Sequence, residues 1–340
     1  MCPDHLYAGV LPCPWPSCRN GTDAATFQIG KGTLRRQMLG GALVEPAYVW
    51  IIDDASAAHC IGNLVRRGLA ALNAEPSHGD DGYLYHFTPP DGLVGILNSR
   101  ELWLTDFRWL SDKTEINHGL GIAREVVQAT SEALAGETVE LLEDVLGAPL
   151  PNGFFVACFA MLSNSPVHWK EYADDERGAA LVLDPLHFEP LVAVDPRAIN
   201  VTRVAYQPGE KRELFRQLAL WTDAALKFDV ERGILDRDAY REEVQRLLPE
   251  LLPICKDESY EKEHETRLIV IPELALSEVV QNLPIRCRET SGRTVDYITT
   301  RDMATHFELP ILEILVGPQT DATIIRKAES VGVRVRRVAS

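Results

Sequence analysis

Three stretches and the chain's beginning carry residue types able to do chemistry. In KDESYEKEHETRLIV, Glu261, Glu263, Glu265 and Arg267 recur at every second position. Alternate residues share one face of a strand, so this spacing predicts a carboxylate row with a guanidinium in it. Close carboxylates raise one another's pKa unless a cation neutralises the field. Such a row can hold one glutamate against a developing positive charge while another pairs with Arg267. A solvated, charged edge strand shows the same pattern, and the pattern alone favours it. A second stretch, SPVHWKEYADDERGAALVLD, groups His168, Trp169 and Tyr172 ahead of Gly178 and a strand. An aromatic ring beside a cleft can stack on a flat heterocycle such as nicotinamide or adenine. A surface loop with one buried tryptophan is the plainer alternative.

The third stretch, YLYHF, sets His86 between Tyr85 and Phe87 in a strand pattern. A core histidine bonded to backbone is the simpler reading of that residue alone. On a strand face lining a cleft, its imidazole could instead donate to a ribose hydroxyl. At the beginning of the chain, Cys2, His5, Cys13 and Cys18 supply thiolate and imidazole groups suited to tetrahedral zinc. The PCPWPSC loop would gain order from a metal. His59 or Cys60 could replace one ligand, and a Cys-bearing loop without metal has the same composition.

These residues need elements to position them. Residues 1–34 are rich in Cys, Pro and Gly and form the possible zinc-binding segment. Residues 35–82 read as a helical connector and linker, with a helix near Ser56–Leu72 that sets Ile61, Leu64 and Val65 at core spacing. Asn73–Gly82 is turn-rich, and residues 83–340 form the main domain. There YLYHF and ELWLT read as strands. TPPDGLVGILNS starts a helix, and Asp112 to Glu115 resembles a capping box. GFFVACFAM, GAALVLD, NVTRVAYQ, ETRLIVIP and ILEILVGP follow as strands. A helical period runs from Gly209 to about Ile254, with Leu214, Leu218, Trp221, Ala225 and Leu226 inward. Uneven helices around a strand-rich centre predict the α+β class rather than regular βαβ alternation.

The 340 residues hold 34 Lys and Arg against 50 Asp and Glu, for a net charge of −16. That balance argues against coating a phosphate backbone. Seven scattered cysteines argue for a reducing compartment. No apolar run approaches the ~18 residues of a membrane span. No basic segment followed by an apolar one opens the chain, so a cytoplasmic protein without membrane contact is expected. Motifs for P-loop, Rossmann, α/β-hydrolase and zincin chemistry are missing.

In their order, the pieces resemble a bacterial family, domain of unknown function 2971. The resemblance runs through Tyr85-His86-Phe87-Thr88, Ile96-Leu97-Asn98-Ser99 to Leu102-Trp103, and Leu110-Ser111-Asp112 with Glu115. It continues through Cys158-Phe159-Ala160, then Trp169, Tyr172 and Gly178, and ends with Tyr260, Glu263, Glu265 and Arg267. Ser111 replaces Asn and Tyr260 replaces Trp of the family pattern. About residues 83–320 are covered. The layout is similar to the ADP-ribosyltransferase-like fold, which implies a mixed, split β-sheet core with flanking helices. It implies NAD as substrate, with His86, Tyr85, Thr88, Trp169, Tyr172 and Arg267 in binding and Glu265, Glu263 and His86 in catalysis. Loss of nicotinamide leaves an oxocarbenium-like centre that a carboxylate stabilises. The resemblance further implies a toxin or phage-defence effector with a macromolecular acceptor and an antitoxin or defence partner. Two other readings stay open: a non-catalytic binding module, and a Mg-dependent nuclease-like hydrolase using the clustered carboxylates.

Overall fold

The structure is a computed structural model. It describes residues 82–110, 114–150, 153–290 and 292–338, together with 56–58, 60–62 and 64–65, and the backbone of four strands before them. Those strands are β1 (Gly9–Pro12), β2 (Thr26–Ile29), β3 (Gly32–Arg36) and β4 (Ala47–Ile51). They pair antiparallel in the order β1-β4-β3-β2. The candidate zinc ligands Cys2, His5, Cys13 and Cys18, and the alternate His59, lie outside the described residues. Cys60 is buried, and burial followed by the charges of Asp229 and Glu243 pushes its thiol up to about 12. The thiolate that zinc requires is therefore disfavoured there.

The main sheet has ten strands: β5 (Leu84–Thr88), β6 (Trp103–Asp106), β7 (Phe155–Ala160), β8 (Ala179–Leu183), β9 (Ile199–Arg203), β10 (Glu265–Val270), β11 (Arg286–Thr290), β12 (Arg293–Thr299), β13 (Ile311–Val316) and β14 (Arg334–Arg337). It is mixed and open: β13 and β14 run parallel and the other pairs antiparallel. With helices on both faces, the expected α+β class is observed.

The sheet forks at β7. One edge of β7 is followed by β10 for six residues. The other edge is shared, because β6 pairs with Phe155 and Val156 while β5 pairs only with Ala160. Two wings leave this edge, β6-β12-β11 and β5-β8-β13-β14. Between them the Cys158 carbonyl lacks a ladder partner, and His86 Nδ1 donates to it at 3.1 Å. A buried carbonyl left unpaired would cost about 1–3 kcal/mol. His86 thus closes the fork where the strand ladder cannot.

Strand alternation sends apolar residues to both faces. On one face Leu84, Phe155, Phe159, Leu181, Leu268 and Val270 join a core covered by α1 (Pro90–Ser99) and α7 (Ala322–Glu329). Full burial of each phenylalanine contributes on the order of 2–3 kcal/mol. On the other face Val156 and Ile269 meet a helical bundle. It contains α2 (Glu115–Thr130), α3 (Gly136–Gly147), α5 (Pro208–Arg232) and α6 (Arg237–Leu251). The single helical period expected from Gly209 to about Ile254 is divided at Gly233, whose φ of 68° ends α5 in the left-handed region. Leu214, Leu218, Trp221, Ala225 and Leu226 are all buried.

The helical residues of 58–65 belong to the same core, through Ala58, Cys60, Ile61, Leu64 and Val65. Buried Asp229 of α5 caps this helix by accepting from Ser56 Oγ at 2.7 Å and Ala57 N at 2.8 Å. A side chain at Gly62 would meet Arg246 of α6 at 2.3 Å, so glycine permits the close approach. Most of the expected linker, 66–81, lies outside the described residues. Among the described residues no helix is long and apolar enough to cross a membrane.

Candidate functional site

The bundle face of the sheet carries a buried charged network where β7 ends and β10 begins. Glu265 and Arg267 project to this face because Ile269 does, two residues further along β10. Arg267 donates from Nε and Nη2 to the two oxygens of Glu265, at 2.8 and 2.9 Å. It donates from Nη1 and Nη2 to Glu115, at 2.7 and 3.2 Å, and from Nη1 to the Pro253 carbonyl. All five of its donors are used. Glu115, the first residue of α2, thereby ties the bundle to the sheet across 152 positions of sequence.

Lys256 completes the network. Its ammonium contacts Glu263, Glu265 at 3.1 Å and Glu115 at 3.4 Å. Five charged side chains, three anionic and two cationic, are thus buried together. Burial alone would raise the Glu265 carboxyl, but Arg267 and then Lys256 outweigh it and hold Glu265 at about 2. Glu263 goes the other way. Burial pushes it up, and its bond to Lys256 compensates only in part. Burial works against the Lys256 ammonium, yet Glu265 and Glu115 hold its pKa above the ordinary lysine range. The Glu265 amide donates to Tyr206 Oη at 3.0 Å.

Glu263 is not on the strand. It ends a 3-10 turn, Glu258–Glu263, and left-handed His264 (φ 41°) passes the chain into β10. Glu261 of the same turn leaves the network and accepts from Gln207 at 2.7 Å. The alternating row expected over 261–267 is therefore half strand and half turn.

An aromatic wall stands beside the network on the same face. It includes α4 (Pro166–Glu171), which packs against the Glu258–Glu263 turn. Phe87 contacts His168 at 5.0 Å and Trp169 at 5.1 Å, and His168 contacts Tyr172 at 5.3 Å. Trp169 is buried and its indole donates to the Ser163 carbonyl, whereas Tyr172 reaches the surface. Ser165 caps α4 and lies 2.8 Å from His168 Nδ1. Burial lowers the His168 pKa to about 4, with Glu265 opposing and Lys256 assisting. Tyr260 also reaches the surface, and its ring lies 5.0 Å from the Lys256 ammonium.

The structure therefore brings Glu263, Glu265, Arg267, Tyr85, Trp169 and Tyr172 to one face. Tyr85 sits in the cross-strand row of Ala160 and Glu265. It does not bring His86 or Thr88 there. By alternation with Tyr85 and Phe87, both leave the opposite face, where His86 meets Phe159 at 5.9 Å. Burial lowers the His86 pKa against the opposing effect of the bond to Cys158, and that bond requires a proton on Nδ1.

Sequence alone gives no site role to three residues of this region, although two of them, Glu115 and His168, stand in its motifs. Lys256 sits in a polar, acid-rich run with no sign of burial. Glu115 looked like a capping residue, and His168 was overshadowed by Trp169 beside it. The carboxylates turn to Lys256 and Arg267, and among the described residues no His, Cys, Asp and Glu group is arranged to hold a metal ion.

On the bundle side a cavity of about 220 Å³ reaches the same network through Glu115 and Arg267. No family model matches the chain, and neither a curated protein nor a solved structure does.

Proposed function

We propose that the chain is an NAD-consuming enzyme of ADP-ribosyltransferase type, with Glu263 as the working carboxylate and a macromolecule as acceptor. The observation that carries this reading is the network's imbalance. Three buried carboxylates face two cations, and Glu263, held by Lys256 alone, is the one with its pKa raised. Departure of nicotinamide leaves positive charge on the ribose, and a preorganised site with a negative excess lowers the energy of that state. Tyr172 and Tyr260 at the surface supply faces on which a ring can stack. Glu265 takes a different part from the one its strand position implied. With both oxygens on Arg267 and its pKa near 2, it anchors the guanidinium and fixes the geometry around Glu263. Antitoxin-like or defence partners belong to this reading.

The test is release of free nicotinamide from NAD. Wild type is expected to release it, and Glu263→Gln to lose at least about 100-fold in rate, the scale of a general acid–base group, with unchanged thermal unfolding. Absence of NAD binding by calorimetry would sink the proposal.

One observation favours a binding module instead. Every donor of Arg267 is taken by Glu265, Glu115 or the Pro253 carbonyl, as expected of a group that holds a fold together. Under that reading Glu263→Gln changes stability and nothing else.

A further inference from the structure

Alternation sorts the wing β6-β12-β11 into two unlike faces. Leu104 and Ile298 enter the core beneath α1 and α7. Trp103, Thr105, Tyr297, Arg286, Arg288 and Arg293 leave the other face. The helical bundle covers that face at β7, through Val156, but among the described residues none of β11 or β12 joins its core. Trp103 and Tyr297 stack there, 4.5 Å between centroids and 25° between planes. Tyr297 is buried, whereas Trp103 is 39% exposed. The indole Nε1 donates to Glu101 at 3.3 Å, which holds the ring by its edge. The Arg288 guanidinium carbon lies 5.4 Å from the Trp103 centroid and 5.9 Å from that of Tyr297. A cation capping the outer face of the indole would stand farther from Tyr297 by the whole stacking distance. The two distances are nearly equal, so the guanidinium lies beside the stack and leaves the outer face of Trp103 open.

The charges of the wing segregate with its faces. By alternation Asp106, Glu289 and Asp296 leave on the core side, and Arg108 is bound there to Asp106 and Asp296. On the open side Arg286 is paired with Asp302. Glu101, at the Trp103 end, lies 4.0 Å from Arg301. Arg288 and Arg293 have no carboxylate within ion-pair reach among the described residues. Arg293 is exposed. Arg288 donates from Nη2 to Thr105 Oγ1 at 3.1 Å, and its buried Nε has no partner. Three strands make this face about 10 Å wide. Two guanidiniums without counter-ions beside an open indole face match an aromatic base and the phosphates next to it.

We propose that this face binds single-stranded nucleic acid, with one base stacked on the outer face of Trp103 and the neighbouring phosphates on Arg288 and Arg293. Every base has a face that an indole can take, and arginine follows the backbone. Bases inside a duplex are stacked on one another, so a single strand is the form that offers one. The net charge of −16 keeps the contact local, to two phosphates rather than a coated backbone. The site does not rest on the NAD reading, because no residue assigned to NAD belongs to it.

The test is titration of a short fluorescein-labelled oligothymidylate with the full chain at low salt, read by anisotropy. Saturable binding is expected, at least about tenfold tighter than to a duplex of the same length, the scale of one base–aromatic stack. Log affinity should fall with log salt at a slope of about −0.7 for each phosphate neutralised, hence about −1.4 for two. Absence of binding at low salt, or equal binding of the duplex, would overturn the proposal. So would thymidine monophosphate that competes as well as the oligomer at equal nucleotide concentration, since the occupant would then be a free nucleotide. Trp103→Ala is expected to lose about tenfold in affinity, and Trp103→Phe to keep most of it. Unchanged affinity in a Trp103→Ala protein with wild-type thermal unfolding would overturn the location. If that variant unfolds early, Arg293→Gln serves in its place, because its side chain is exposed. It is expected to make the salt slope shallower by about 0.7, and an unchanged slope would again overturn the proposal. Arg334→Gln, on β14 of the other wing, is expected to leave the affinity as it is. A loss there equal to that of Arg293→Gln would mean attraction to arginines anywhere on the chain and would also overturn the site.

Discussion

Among the described residues, two buried networks place an arginine between two glutamates, and they are built from opposite materials. In α6, Arg246 binds Glu243 at 2.5 Å and Glu250 at 2.7 Å, three and four positions away on one helix. Around β10, Arg267 binds Glu265 two positions away and Glu115 from a helix 152 positions distant. The helical triad can form as soon as α6 does, since these spacings are neighbours on any helix. The β10 network exists only when α2, the Glu258–Glu263 turn and the sheet have assembled. It also holds a second cation, Lys256, which the helical triad lacks. The local network is a clamp for the helical residues of 58–65. The assembled one draws its charges from α2, the turn and the sheet, and sets one cation, Lys256, among three carboxylates.

Removing each arginine tests this contrast most severely. Arg267→Met leaves Glu115, Glu263 and Glu265 with Lys256 as their one cation in a dry interior, and a loss of about 3–5 kcal/mol is expected. Arg246→Met also strands two carboxylates, but on one helix that can fray and hydrate. Its expected loss is roughly half as large by the same reasoning. Chemical denaturation of the two variants measures the difference. Equal losses would show that the distant network is no more essential to the fold than the local clamp.

The next effect is a pH dependence. His168 is held at about 4 in the fold against an ordinary value of 6.5. Between those values the unfolded chain binds a proton that the folded chain refuses, so stability falls as pH is lowered from 6.5 to 4. The shift corresponds to about 3 kcal/mol. Glu265 acts in a lower window. Its depressed pKa gives stability that is present above 4.5 and lost as pH falls toward 2. Glu263 opposes both, because a raised carboxyl pKa favours the fold in acid and loses that contribution as pH rises through it. Urea midpoints from pH 7 to pH 4 should therefore fall in wild type and fall less steeply in His168→Gln, where the lowered pKa of His86 still acts. A wild-type midpoint constant over that range would detach His168 from the network.

These contrasts also explain what the sequence could show. Period-two alternation correctly united Glu265 and Arg267, because a strand repeats every two residues. The same rule left His86 ambiguous. Tyr85, His86 and Phe87 could present either parity to the site, and only pairing of Tyr85 with Ala160 assigns the face. Lys256 has no periodic neighbours and gains its role from a turn that brings it to Glu263. The α+β class could be read from the order of strands and helices. The fork at β7 could not, since it depends on which strands share an edge.

The smallest effect concerns the loop between the aromatic wall and β8. Asp174, Asp175 and Glu176 all have positive φ, at 51°, 51° and 66°. Left-handed backbone costs a non-glycine residue about 1–2 kcal/mol, so this turn must be held from outside. Glu176 N donates to the Trp169 carbonyl, Gln319 N donates to the Glu176 carbonyl, and Gly317 packs so closely that any side chain there would strike that carbonyl. Glu176→Gly relieves the strain at one position while loosening the unfolded chain, and a net gain of about 0.5–1 kcal/mol is expected. Thermal unfolding should rise by a few degrees at most. A fall instead would mean that the Glu176 side chain itself supports the turn. A rise accompanied by slower nicotinamide release would assign the strain to positioning Tyr172, four residues earlier, and would join this loop to the assembled network rather than to the scaffold.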